Sequence, residues 1–332
     1  MILLRIFKNS RLAGAVGLIF LILGIFLPSI IQDFSSERAV NLIQHQGMPF
    51  YKLIFGAIHT VPFLNHFLAI LLMLLISYML IRIGVRDQLL DQRSLMPAYF
   101  FVLFAAAIPE ARQVSPALVA SVFYLLCFAI IFEVHDKKPD TFSVFTASVF
   151  LVLGSMFCLK IIWFVPLMWA SLLTLRSTTW REIFYPLVAY IILALFLFTW
   201  YWGILGNGEL FKQVVADNLA FTGGFKPLHS SVYLLYGYFI LLVVVASVYM
   251  VDRFQSRKSL IQGIYQVMFY MFLGGILFFV FVARFDASAL VFVAFPVSYV
   301  LANFFHRKRN SWIHELALWI LLGLVVYVQV MV

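Results

Sequence analysis

Residues 12–31 read LAGAVGLIFLILGIFLPSII, and residues 32–38 continue QDFSSER. The first of these runs carries no charge. As a helix rising 1.5 Å per residue it is about 30 Å long, the thickness of a bilayer's hydrocarbon core. Arg5, Lys8 and Arg11 precede it, and no small-residue cleavage site follows it. That pattern predicts a retained membrane span, not a cleaved signal peptide. Directly after it stand Asp33, Glu37 and Arg38. This abrupt change from oil to charge marks the first loop on the far side of a membrane.

The rest of the chain follows the same rule. Its 332 residues are 64% hydrophobic and 11% charged, where a soluble domain would be about half apolar and about a quarter charged. Mean hydropathy is +1.03. Lipid must therefore be the main solvent. Backbone groups in hydrocarbon must pair within their own segment, so long unbroken apolar runs become helices. A membrane β-barrel would show alternating segments of about ten residues, and none is present. The load of 37 Phe suits lipid-facing helices. Cys127 and Cys158 both fall in apolar runs and read as small buried hydrophobes.

Further spans are predicted over 63–81, 95–108, 116–132, 142–159, 161–175, 184–205, 232–251, 263–283, 288–305 and 313–330. With the first, that makes an all-α, polytopic integral membrane bundle of about eleven transmembrane helices. It is one membrane domain over 1–332, with no repeat and no soluble module. The 95–108 segment is short for a full crossing, so it either extends backward or packs inside the bundle. Two long loops lie on the far side. The first, 32–62, holds an amphipathic stretch at 48–62 that suits the interface. The second is 206–230. Pro166 and Pro296 are candidate kinks.

Orientation follows from the basic residues, which collect on the cytoplasmic side. With the N-terminus inside, that side holds Arg5, Lys8, Arg11, Arg82, Arg86, Arg93, Lys137, Lys138, Arg176, Arg181, Arg253, Arg257, Lys258, Arg307, Lys308 and Arg309. Those are sixteen of the 23 Lys and Arg. The net charge of +9 is thus a topology signal. No basic stripe suggests nucleic acid.

Chemistry must be built from helix ends and short loops. Arg112, Lys160 and Arg284 stand at tight turns on the external side, where helices meet the interface. Fixed cations at that depth suit a lipid-linked phosphate. Snorkelling, or pairing with an acid such as Asp286, is the plainer role of each. Asp33 and Glu37 are four apart and share a face if the helix continues. A carboxylate there could act as general base or hold a divalent cation; a solvated loop is the plainer alternative. Glu110, Asp217 and Asp286 are further external acids with substrate-binding potential. His45, His59 and His66 lack zinc-motif spacing and read as structural or interfacial. Charges cluster at span ends and not at midplane, which argues against proton or sodium coupling.

Two resemblances follow from these residues. Leu175-Arg176, Trp180-Arg181-Glu182 and Pro296-Val297-Ser298-Tyr299 resemble an uncharacterised bacterial family of multi-pass inner-membrane proteins. The layout of the first seven spans resembles the GT-C class of membrane glycosyltransferases. In that class the first external loop carries an acidic active-site residue and often an amphipathic helix, as Asp33 and 48–62 do here. The resemblance implies a polyprenyl-phosphate-linked sugar donor at the external face of a bacterial inner membrane. It implies Asp33 and Glu37 at the catalytic position; the turn cations Arg112, Lys160 and Arg284 would then serve as the phosphate clamp. No Asp-x-Asp or Glu-Asp pair and no large external domain accompany it. The metal thus stays unassigned, a divalent cation being a candidate, and no organic cofactor is implied. Membrane lipids and envelope-assembly proteins are the expected partners. Two rival functions fit the same pattern: a transporter or flippase for a lipid-linked substrate, and a structural subunit of an envelope complex.

Overall fold

The computed structural model describes residues 12–35, 48–56, 62–90, 94–107, 112–136, 141–175, 178–204, 206, 208–219, 229–254, 259–306 and 311–331. Among these residues all regular structure is helical. In chain order the helices are α1 (Leu12–Ser35), α2 (Pro49–Phe55), α3 (Pro62–Arg86), α4 (Met96–Ala105), α5 (Pro116–Asp136), α6 (Thr141–Ser155) and α7 (Val165–Leu175). Then come α8 (Trp180–Phe198), α9 (Gly208–Leu219), α10 (Ser230–Phe254), α11 (Ser259–Leu277), α12 (Leu290–His306) and α13 (Ser311–Met331). Short 3-10 turns cover Leu159–Phe164 and Ala287–Ala289, and π-helical turns end α8 at Thr199–Ile204 and α11 at Phe278–Val282.

Among the described residues, eight helices are long and apolar enough to cross a membrane: α1, α3, α5, α8, α10, α11, α12 and α13. The protein is a polytopic helical membrane bundle. Three further apolar segments are shorter: α4, α6 and the run 159–175. Every residue of α4 is buried. At 1.5 Å per residue α4 spans only about 15 Å, half a bilayer core. The expected third span is therefore a half-length helix, sheathed by α12 and α3, which pack against it.

Phenylalanine fills the middle of the bundle. Phe101 of α4 stacks on Phe295 of α12 at 5.4 Å, and Phe100 meets Phe305 at 5.0 Å. Tyr124 of α5 sits against Phe164 and Phe292 at 4.7 and 5.3 Å. In lipid there is little hydrophobic gain from helix contact, so this interlocking is the main attraction. Small residues let helices approach. A Cβ on Gly275 of α11 would stand 3.0 Å from the Val293 side chain and 3.4 Å from its backbone in α12.

Hydrogen bonds between distant segments define two ends. At one, Tyr265 OH donates to Leu89 O (2.7 Å), Tyr299 OH to Leu80 O (2.5 Å) and Tyr99 OH to Gly14 O (2.6 Å). Arg86 there pairs with Asp87 and Glu133 and donates to Ala129 O at 2.7 Å. The opposite end gathers residues 29, 51, 65–66 and 106–114. We call these the Arg86 end and the Arg112 end.

The proline expectations divide. Pro296 lies inside α12, as do Pro28 in α1 and Pro186 in α8. Pro166 does not lie in a helix interior. It occupies the first turn of α7, after the 3-10 segment, where a missing N–H costs nothing. The second long loop is not bare either: α9 occupies 208–219 within it.

Candidate functional site

The Arg112 end is built from interrupted backbone. The chain leaves α6 through a turn at 156–158, enters the 3-10 segment Leu159–Phe164, and only then resumes as α7. The two π-helical turns lie at this same end, as does the 3-10 turn Ala287–Ala289. Non-helical geometry at membrane depth is tolerated where protein covers it or where it lines a cavity. π-Turns within helices concentrate at functional sites.

Two surface helices roof this end. α2 begins at Pro49, and buried Met48 joins a small apolar cluster with Val152, Leu159, Leu193 and Leu197. Val214, Val215 and Leu219 of α9 pack on the same cluster. α9 therefore rests on the 3-10 segment that carries Lys160 and on the π-turn after α8. Within the stretch 48–62, expected to be amphipathic, the described residues form the seven-residue helix α2, and 57–61 lie outside them. Glu209 and Lys212 of α9 form an exposed ion pair at 3.0 Å.

Arg112 is 2% exposed. Its Nε and Nη2 donate to the carbonyls of Ala106 and Ala107, both at 3.0 Å, and Nη1 donates to Ser29 Oγ at 2.9 Å. The carbonyls past the end of α4 have no intrahelical donors, and the guanidinium fork supplies them. The surrounding backbone is held as firmly. His66 Nδ1 lies 3.0 Å from Arg112 O. A carbonyl only accepts, so Nδ1 carries the proton. Val114 N donates to Asn65 Oδ1 (3.0 Å), and Tyr51 OH donates to Val114 O (2.7 Å). Burial pushes the Tyr51 phenol well up, keeping it a neutral donor.

The other expected cations lie differently. Lys160 is half-buried, and Arg284 and Asp286 are exposed. Burial pushes the Cys158 thiol up to about 11; the Lys160 charge opposes this and the Asp286 charge adds to it. Those two charges thus share the Cys158 neighbourhood. Asp286 accepts from Ser288 N at 3.1 Å and caps the Ala287–Ala289 turn, which packs on α5. Arg284 and Phe285 are both left-handed, with φ of 47° and 64°. Neither is glycine, so the turn stores strain of order 1–3 kcal/mol per residue. Deeper in, Ser155 Oγ and Tyr190 OH are 2.7 Å apart.

The structure thus brings Arg112, Lys160, Arg284 and Asp286 to one end of the bundle. It turns Arg112 inward, onto α1 and α4, and leaves the other three nearer the surface. Asp33 lies in the last turn of α1, and Asp217 lies in α9. Glu37, Glu110, His45 and His59 lie outside the described residues. Among the described residues no group of three or more His, Cys, Asp and Glu is placed to hold a metal ion. Ser29, Asn65, His66 and Tyr51 form the polar knot around Arg112, and sequence reasoning gave none of them a site role. Their signal was a Ser, and an Asn-His pair, at the edges of otherwise apolar runs. Comparison with known protein families, curated proteins and solved structures finds no match.

Proposed function

We propose that this is a GT-C-like transferase of eleven membrane segments, working at the Arg112 end, which faces outside a bacterial inner membrane. The observation that carries this reading is the location of the irregular backbone. Among the described residues, both π-turns, both 3-10 segments, two of the three left-handed non-glycine residues (Arg284 and Phe285, the third being Gln88 at the Arg86 end) and the two roofing helices belong to that one end. A site that acts on a lipid-anchored headgroup needs such a place. The donor stays in the bilayer, and its phosphate meets the protein where helices stop.

In this reading Lys160 and Arg284 bind the phosphate of a polyprenyl-phosphate-linked sugar. Asp33 takes the proton from the acceptor hydroxyl. The acceptor oxygen forms a bond to the sugar's anomeric carbon. The bond from that carbon to the phosphate oxygen breaks, and polyprenyl phosphate leaves with the electron pair. Glu37 supports Asp33, and Glu110, Asp217 and Asp286 contact sugar or acceptor. The ties at the Arg86 end favour one-sided access over a path through both faces.

The test is transfer from a polyprenyl-phosphate-linked sugar in liposomes containing the purified protein. Asp33→Asn should abolish transfer and leave the amount of inserted protein unchanged. An Asp33→Asn variant as active as its parent would remove the proposed base.

A further inference from the structure

α1 contains its own weak point. Pro28 has no N–H, so the helix lacks the bond to Gly24 O, and the proline ring crowds that carbonyl. Gly24 itself has nothing within 4 Å of where a Cβ would stand. The segment 29–35 is thus attached through a helix turn that is one hydrogen bond short, between a proline and an unpacked glycine. Helices bend at such places. Something must fix the direction of the segment beyond.

Ser29 is the first residue after that proline. It is buried, and its hydroxyl takes the third guanidinium donor of Arg112 at 2.9 Å. Arg112 is itself immobilised by two carbonyls at the end of α4, and its own carbonyl is held by His66 of α3. The Arg112–Ser29 bond therefore joins the part of α1 beyond Pro28, where Ile30 also packs on the core, to a rigid block. Asp33 lies four residues after Ser29, one turn further along the same helical face.

Resting on the reading above, we propose that Arg112 is a positioning residue. It latches the outer segment of α1 across the Gly24–Pro28 weak point and so sets where Asp33 stands. Arginine suits this task because its planar fork reaches two carbonyls and a hydroxyl at once; a lysine ammonium cannot span all three.

The experiment separates the latch from the transferase. Spin labels at Ile31→Cys and Phe67→Cys, both exposed at this end of α1 and α3, are introduced with Cys127 and Cys158 replaced by Ala. Asp33 stays intact. The parent should give one narrow distance distribution. Ser29→Ala, a mild change, and Arg112→Lys should each broaden or shift it, and Ser29→Thr should restore it. In the transfer assay Ser29→Ala should lower turnover at least about tenfold with donor affinity unchanged, as misplacement of a reacting group does. Distances unmoved by both Ser29→Ala and Arg112→Lys would overturn the latch. Distances that move in a parent showing no transfer would uphold the latch and remove the transferase reading alone.

Discussion

Arg112 Nη1 lies 2.9 Å from Ser29 Oγ, across 83 residues of sequence. This bond joins a turn after the half-length helix α4 to the last part of α1. It places a cation that is only 2% exposed in a structural joint and not in solvent.

Truncating that cation should therefore be severe. Arg112→Leu leaves the Ala106 and Ala107 carbonyls and the Ser29 hydroxyl short of their donor. Each stranded buried group costs about 1–3 kcal/mol, so the expected loss is at least about 3 kcal/mol. Thermal unfolding in detergent measures it. An Arg112→Leu variant with unchanged midpoint would contradict the assignment of these three bonds.

The joint at the other end is milder. Tyr265→Phe removes the bond from the phenol to Leu89 O and the bond that Asn303 Nδ2 donates to the phenol, and keeps the ring. The expected cost is about 1–2 kcal/mol for the two bonds, seen as a modest fall in the unfolding midpoint and no loss of insertion.

Helix approach can be tested at Gly275. Valine there would drive its side chain into Val293, which already stands 3.0 Å from the position of a Cβ. Overpacking of this kind costs about 1–3 kcal/mol. The same substitution at Gly323, with nothing within 4 Å, should be far better tolerated. Equal midpoints for the two variants would argue against close packing of α11 on α12.

Cys158 reports on the electrostatics of the candidate site. With its pKa raised to about 11, little thiolate exists at pH 8, and alkylation should be slow compared with an exposed cysteine. The rate should climb as pH rises towards 11, because deprotonation is what burial opposes. Lys160→Ala removes a charge that lowers the pKa and should slow alkylation further. Asp286→Asn removes one that raises it and should speed alkylation. Rates that shift in the reverse directions, or not at all, would separate Lys160 and Asp286 from the thiol.

The surface helix α9 should depend on its apolar seat. Val215→Asp places a charge against the cluster that holds Leu159 and Leu197 and should expose 208–219 to protease. Breaking the Glu209–Lys212 pair should change little, since exposed ion pairs contribute about 0–1 kcal/mol.

Several of these features were legible in the chain alone. The uncharged run 12–31 announced its helix, because lipid leaves the backbone no other partner. The amphipathic stretch after Met48 announced α2. The pattern Leu210, Phe211, Val214, Val215, Leu219 also has helical spacing, and a helix at 208–219 could have been read from it. The charged residues between them hide that short apolar face. The 95–108 segment showed its shortness but not its fate. Its burial comes from α3 together with α12, some 190 residues away, and no local signal encodes that.

The division has one physical cause. Residence in a membrane and helical backbone depend on the solvent each stretch requires, and that is a property of the stretch itself. Which polar residues meet depends on how helices far apart in the chain pack. Arg112, Lys160 and Arg284 looked alike in sequence, each a cation at a turn. Packing alone turned Arg112 onto Ser29 and two carbonyls and left Lys160 and Arg284 nearer the surface.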